Sequence, residues 1–84
     1  MLLAVDVGNT NLTLGVYDQE NLVGCWRLET DVGQTVDGWG ILFRNMFDLS
    51  ELDTRKIDGI IVSSVVPQLD IPLEKMAERY FHTT

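Results

Sequence analysis

Leu2, Leu3, Ala4 and Val5 form an unbroken apolar run that Asp6 ends. Such a run, without polar alternation, predicts a central strand buried on both faces. Residues 6–11 are polar and include Gly8, which predicts a turn. Over residues 12–17 the chain alternates, with Leu12, Leu14 and Val16 on one face and Thr13, Gly15 and Tyr17 on the other. That is the period of a half-buried strand. After the polar residues 18–21, residues 22–28 predict a third strand with Leu22, Trp26 and Leu28 on one face. Both connecting loops are short, so the three strands are expected to pair antiparallel in order.

The period then changes. Val36, Trp39, Leu42, Phe43, Met46 and Phe47 recur at helical spacing, with Thr35 placed to cap the helix and Asp37 near the positive end of its dipole. Gly38 and Gly40 inside it each cost up to ~1 kcal/mol relative to alanine, which packing must offset. Ile57, Ile60, Ile61 and Val62 mark a fourth strand over residues 57–62, followed by a turn at residues 63–67. A second helix is expected to begin near Asp70 as its cap, with Pro72 in the first turn and a buried stripe of Leu69, Leu73, Met76, Ala77 and Tyr80. The order β-β-β-α-β-α predicts an α/β mixed sheet. A right-handed crossover lays the fourth strand parallel to the first.

Composition narrows the function. The length of 84 residues allows one small domain, marginally stable by itself. The formal net charge of -7 argues against nucleic acid and anionic membranes, which need a dense basic surface. It leaves a nucleotide open, because backbone amides and a metal ion can hold a single anionic ligand. Cys25 is the one cysteine, so no internal disulfide forms, no metal-ligand spacing surrounds it, and a reducing cytoplasm is the expected compartment. The apolar run at residues 2–5 is too short for a signal-peptide core or a membrane span. His82 reads as a solvated tail residue.

Chemistry concentrates in Asp6, Val7, Gly8, Asn9, Thr10, Asn11, Leu12 and Thr13. A carboxylate stands at the end of a buried strand, with a glycine two residues on and hydroxyl and amide side chains after it. Gly8 allows close backbone approach to an anion and conformations closed to other residues. Successive amides in a tight turn can form an anion-binding concavity, and Thr10, Asn11 and Thr13 can add side-chain donors. Asp6 suits such a place if a divalent cation sits between it and phosphate, since Mg²⁺ favours carboxylate, water and phosphate oxygens. The alternative is a plain hairpin connector, for which these residue types are common. The turn at residues 63–67 would lie beside the first turn if the strands are parallel neighbours, and ligands in α/β sheets bind beyond strand ends. No GxxxxGK[ST] motif and no GxGxxG motif occurs, so neither a P-loop nor a dinucleotide fold is indicated.

The segment from Leu3 through Asp6-Val7-Gly8-Asn9-Thr10 to Asn11 resembles the first phosphate motif of type III pantothenate kinases, in which D-V-G-N-T opens the chain. The likeness continues through residues 15–18, Trp26-Arg27-Leu28, Thr30-Asp31, Thr35, Asp37 and Trp39, then residues 57–60 and Ser63-Ser64-Val65-Val66-Pro67. It covers essentially all 84 residues. One departure is Gly38, where the family usually has an acidic residue, and its expected effect is on helix stability. The resemblance implies an actin-like ATPase (ribonuclease H-like) fold, of which residues 1–84 would be the N-terminal part of the first domain, with the remainder of the kinase absent. It implies ATP-dependent phosphorylation of pantothenate to 4'-phosphopantothenate, the first step of coenzyme A synthesis. It also implies a cytoplasmic homodimer at full length that uses Mg²⁺ and a monovalent cation, K⁺ or NH₄⁺. Carried onto this sequence, residues 6–13 form the ATP phosphate loop and Asp6 helps hold the metal. The catalytic base, pantothenate pocket and monovalent-cation site would lie outside these residues, so the chain alone is expected to be inactive.

Other candidates have plainer readings. Trp39, Phe43, Met46 and Phe47 are core at helical spacing, and Trp26 is core or interface. Arg27 and Arg44 could meet phosphate, but solvated or ion-paired arginine is commoner. Ser63 and Ser64 lack a base partner and a GxSxG elbow, so they shape a cleft floor rather than act as nucleophiles. Asp53 belongs to a charged connector and Asp58 to a strand start. The rival functions are a non-catalytic regulatory relative of the same family, and another actin-like branch such as a sugar kinase, a polyphosphatase or a filament protein.

Overall fold

A computed structural model describes residues 1–82, so Thr83 and Thr84 lie outside the described residues. The elements are β1 (Leu2–Val7), β2 (Asn11–Asp18), β3 (Asn21–Glu29), α1 (Val36–Leu49), β4 (Gly59–Ser64) and α2 (Asp70–Phe81), with short 3₁₀ turns at Thr54–Lys56 and Pro67–Leu69. The strands form one four-stranded sheet ordered β3-β2-β1-β4. The β1–β2 and β2–β3 pairs are antiparallel, and β4 runs parallel to β1. The Asp58 amide donates to the Met1 carbonyl at 2.8 Å, aligning the starts of the two parallel strands.

One face of the sheet carries the core. Leu3, Val5 and Val7 of β1 and Leu12, Leu14 and Val16 of β2 are buried there against Trp39, Phe43 and Phe47 of α1 and Leu73, Met76 and Phe81 of α2. Each fully buried aromatic or aliphatic side chain contributes about 1.5–3 kcal/mol. The rings meet edge-on, Phe47 to Phe81 at 5.3 Å between centroids and Trp39 to Phe43 at 6.3 Å. Thr35 caps α1 as expected, its hydroxyl accepting from the Gly38 amide at 2.9 Å.

Four details depart from the pattern reading. First, β1 is not buried on both faces: Leu2 and Ala4 are half-buried and Asp6 is exposed, because both helices lie on the other side and no described element covers this one. Second, Leu22 does not share a face with Trp26. The β2–β3 register shifts between Val16 and Tyr17, so that Tyr17 faces Leu22 while Val16 faces Gly24. Val23 is the extra residue of a β-bulge, and one extra residue reverses the alternation. Third, β4 begins at Gly59 and runs through Ser64, and Ile57 is buried ahead of it. Fourth, Asp70 is the first residue of α2, not its cap. Leu69 occupies the cap position and makes no side-chain bond there, while Asp70 stays in the first turn where the dipole favours it. Phe81 joins the helix's buried stripe, and Tyr80 is only partly buried.

Candidate functional site

The first turn is a two-residue connection. Val7 pairs with Leu12 as the last ladder partners, the Gly8 amide donates to the Asn11 carbonyl at 2.9 Å, and Asn9 and Thr10 form the exposed tip. No residue from Asp6 to Thr13 has a left-handed φ, so Gly8 is not required by an unusual conformation. Its surroundings are close, since a Cβ there would lie 3.2 Å from the Asn11 carbonyl oxygen, which would have to give by a few tenths of an ångström. Asn11 Nδ2 donates to Thr10 Oγ1 at 3.2 Å. Val7 and Leu12 are fully buried, so their side chains anchor the turn in the core and do not reach a ligand.

The parallel pairing brings the second turn alongside. Asp6 pairs with Ser63 and Val7 with Ser64. The Val65 amide donates to the Val7 carbonyl at 3.1 Å, so the two strand ends are stitched together. Ser64 is committed to its own turn, accepting from the Val66 amide at 3.0 Å and donating to the Val66 carbonyl at 3.1 Å. Ser63 is exposed.

The register also defines a row across the sheet. Ser63 of β4, Asp6 of β1, Thr13 of β2 and Arg27 of β3 are successive cross-strand partners. Register partners point to the same side, and this is the side without helices. A hydroxyl, a carboxylate, a second hydroxyl and a guanidinium therefore line up below the loop amides. Donors for an anion and one carboxylate for a cation stand together at the carboxyl end of β1, the position where open α/β sheets bind ligands. Arg44, by contrast, is exposed on α1 beside Asp48, Asp53 and Tyr80, and is not part of this row.

A model of the type III pantothenate kinase family matches residues 2–84. The chain belongs to that family. The type III pantothenate kinase of Solibacter usitatus is 55% identical over 83 residues, which is 99% of this chain and 32% of the relative. That of Myxococcus xanthus is 52% identical over 81 residues, 96% of this chain and 32% of the relative. That of Halalkalibacterium halodurans is 49% identical over 84 residues, 100% of this chain and 33% of the relative. The chain thus spans about a third of the length of the curated relatives it matches.

For a member of this family, the donor set bears on the metal. Among the described residues no group of three or more His, Cys, Asp and Glu side chains could cage an ion. A single carboxylate, Asp6, is what fits Mg²⁺ delivered with a nucleotide, because that ion keeps waters and phosphate oxygens and takes one or two protein carboxylates. Among the described residues no helix is long and apolar enough to cross a membrane.

Thr30 escaped the sequence reading as a residue of the site. Its hydroxyl donates to the Gly8 carbonyl at 2.7 Å, and its amide donates to the Thr10 carbonyl at 2.9 Å. The bulge at Val23 hid it. Continuing the pairing of Asp18 with Asn21 without a bulge would set Glu29 opposite Thr10, and the bulge moves Thr30 there. The β-prone, glycine-bearing stretch Val23-Gly24 was the available signal.

Proposed function

We propose that the protein to which this chain belongs transfers the γ-phosphoryl group of ATP to the primary hydroxyl of pantothenate, the first step of coenzyme A synthesis. Residues 1–84 form the N-terminal part of its first actin-like ATPase domain, and residues 6–13 bind the nucleotide's phosphates. The observation that carries this reading is the register that sets Ser63, Asp6 and Thr13 side by side under the loop amides. Backbone amides of the loop and the hydroxyls of Thr10 and Thr13 hold phosphate oxygens. Asp6 holds Mg²⁺, directly or through water. When bound, that ion offsets charge on the phosphates, and phosphoryl transfer depends chiefly on such positioning and charge neutralisation.

The same reading gives a cytoplasmic homodimer that uses K⁺ or NH₄⁺ as well as Mg²⁺. The catalytic base, the pantothenate pocket and the monovalent-cation site are outside these residues, and one loop cannot supply both walls of a cleft. The 84 residues alone are therefore inactive. The test joins this chain to the remaining two-thirds of the Solibacter usitatus relative and follows ATP-dependent phosphorylation of pantothenate. The fusion should turn over, and Asp6→Ala should lower the rate by about a hundredfold. A folded fusion without activity, or an Asp6→Ala variant at full rate, would sink the proposal. Product formed by the isolated chain would refute its inactivity.

A further inference from the structure

Thr30 makes two bonds to the first turn, and both end on carbonyls. Its amide holds the Thr10 carbonyl at 2.9 Å, a ladder bond that any residue except proline could make. Its hydroxyl holds the Gly8 carbonyl at 2.7 Å, which needs a side-chain donor at this position. Peptide units are planar and, among the described residues, trans, so each carbonyl points opposite to the amide of the next residue. A Gly8 carbonyl drawn toward β3 turns the Asn9 amide away from it. A Thr10 carbonyl drawn the same way turns the Asn11 amide back toward β1. With strands ordered β3-β2-β1-β4, both amides then face the side on which Asp6 and the turn at residues 63–67 lie.

We infer that Thr30 is a positioning residue that aims the Asn9 and Asn11 amides at the phosphates of the nucleotide. The inference rests on the reading of residues 6–13 as a phosphate loop. Thr30 touches no phosphate itself. It sets the two peptide planes before ligand arrives, so the amides need not reorganise on binding. The Asn9 amide, the one that the Thr30 hydroxyl orients, has no backbone acceptor among the described residues, which leaves it available. Glycine at position 8 suits the same arrangement, because the chain there packs closely against the Asn11 carbonyl.

The test is a titration with Mg-ATP of this chain fused to the remaining two-thirds of the Solibacter usitatus relative, followed by amide chemical shifts of residues 1–84, in the unaltered protein and in Thr30→Val and Thr30→Ser. Valine keeps the β-branched shape and loses the hydroxyl donor; serine keeps the donor. Thr30→Val should weaken Mg-ATP about tenfold and displace the free-state Asn9 amide resonance, while Thr30→Ser should bind within about twofold of the unaltered fusion. A change in thermal midpoint with no change in affinity marks a structural role only and overturns the inference. In the unaltered fusion, Asn9 and Asn11 must be among the amides that Mg-ATP moves furthest; shifts that bypass them overturn it whether or not Thr30→Val folds. No shifts at all in the folded, unaltered fusion would overturn the phosphate-loop reading and this inference with it. Unaltered affinity in Thr30→Val would overturn the Thr30 role alone.

Discussion

Asp37 is where single-residue electrostatics has a measurable consequence. Its Oδ1 accepts from Tyr80 Oη at 2.7 Å and from Arg79 Nη1 at 2.8 Å, so the first turn of α1 is tied to the last turn of α2. The Tyr80 hydrogen bond, then that of Arg79, holds the Asp37 carboxyl below its ordinary value of 3.8. The same bond from Asp37 raises the Tyr80 phenol above 10.0. A depressed carboxyl contributes stability that is complete above its unfolded pKa and is lost as pH falls through the folded value. A raised phenol contributes stability that is complete below its unfolded pKa and is lost as pH rises through the folded value. Stability should therefore decline below about pH 4 and again above about pH 10. Asp37→Asn should flatten the alkaline limb and part of the acid limb in thermal midpoints measured against pH. Asp53, also held low by its pair with Arg55, keeps the rest of the acid limb. The groups are well exposed, so the effect is small, and an identical alkaline limb in the variant would refute the coupling.

At the scale of elements, the two glycines of α1 have different meanings. A Cβ on Gly40 would come within 2.4 Å of the Tyr80 ring carbons, so this glycine lets α2 lie close against α1. Gly40→Ala gains helix propensity but must displace an aromatic ring held by Asp37, and should lower the thermal midpoint by about 5–10 °C. At Gly38 the nearest obstacle is the free end of Gln34, which can swing away. Gly38→Ala should therefore leave stability unchanged or raise it by up to ~1 kcal/mol. A pair of variants with equal midpoints would remove the distinction. Apolar period disclosed both helices, the first three strands and the parallel fourth strand, because buried faces impose their repeat on the sequence. It also exposed the turn after β1, because polar, glycine-bearing residues interrupt the apolar positions there. Features set by one extra residue stayed hidden. The Val23 bulge changes no composition, yet it turns Leu22 to the open face and delivers Thr30 to the loop. The missing cap of α2 was equally invisible: Asp70 has the residue type of a cap, and the 3₁₀ turn before it moved the helix start forward by one position.

At the scale of the molecule, the described residues leave one sheet face bare and one parallel strand at an edge. Ile61 is 58% exposed and Val65 67%, on and just after β4. An unpaired strand edge flanked by exposed β-branched side chains is a template for another chain. The opposing influence is the net charge of -7, which makes two copies repel. These two terms respond differently to salt. Screening shortens the reach of the repulsion to about 8 Å at physiological ionic strength and leaves apolar burial in place. The isolated chain should thus be monomeric at low salt and associate as salt is raised, read by sedimentation velocity at fixed concentration. Ile61→Lys lowers the net charge magnitude by one, which weakens repulsion, but it puts a charge on the bare face beside the edge. If burial of that surface drives association, the variant stays monomeric at salt concentrations where the unaltered chain associates. If it associates at least as readily, charge rather than the exposed strand governs the behaviour, and β4 is not the adhesive edge.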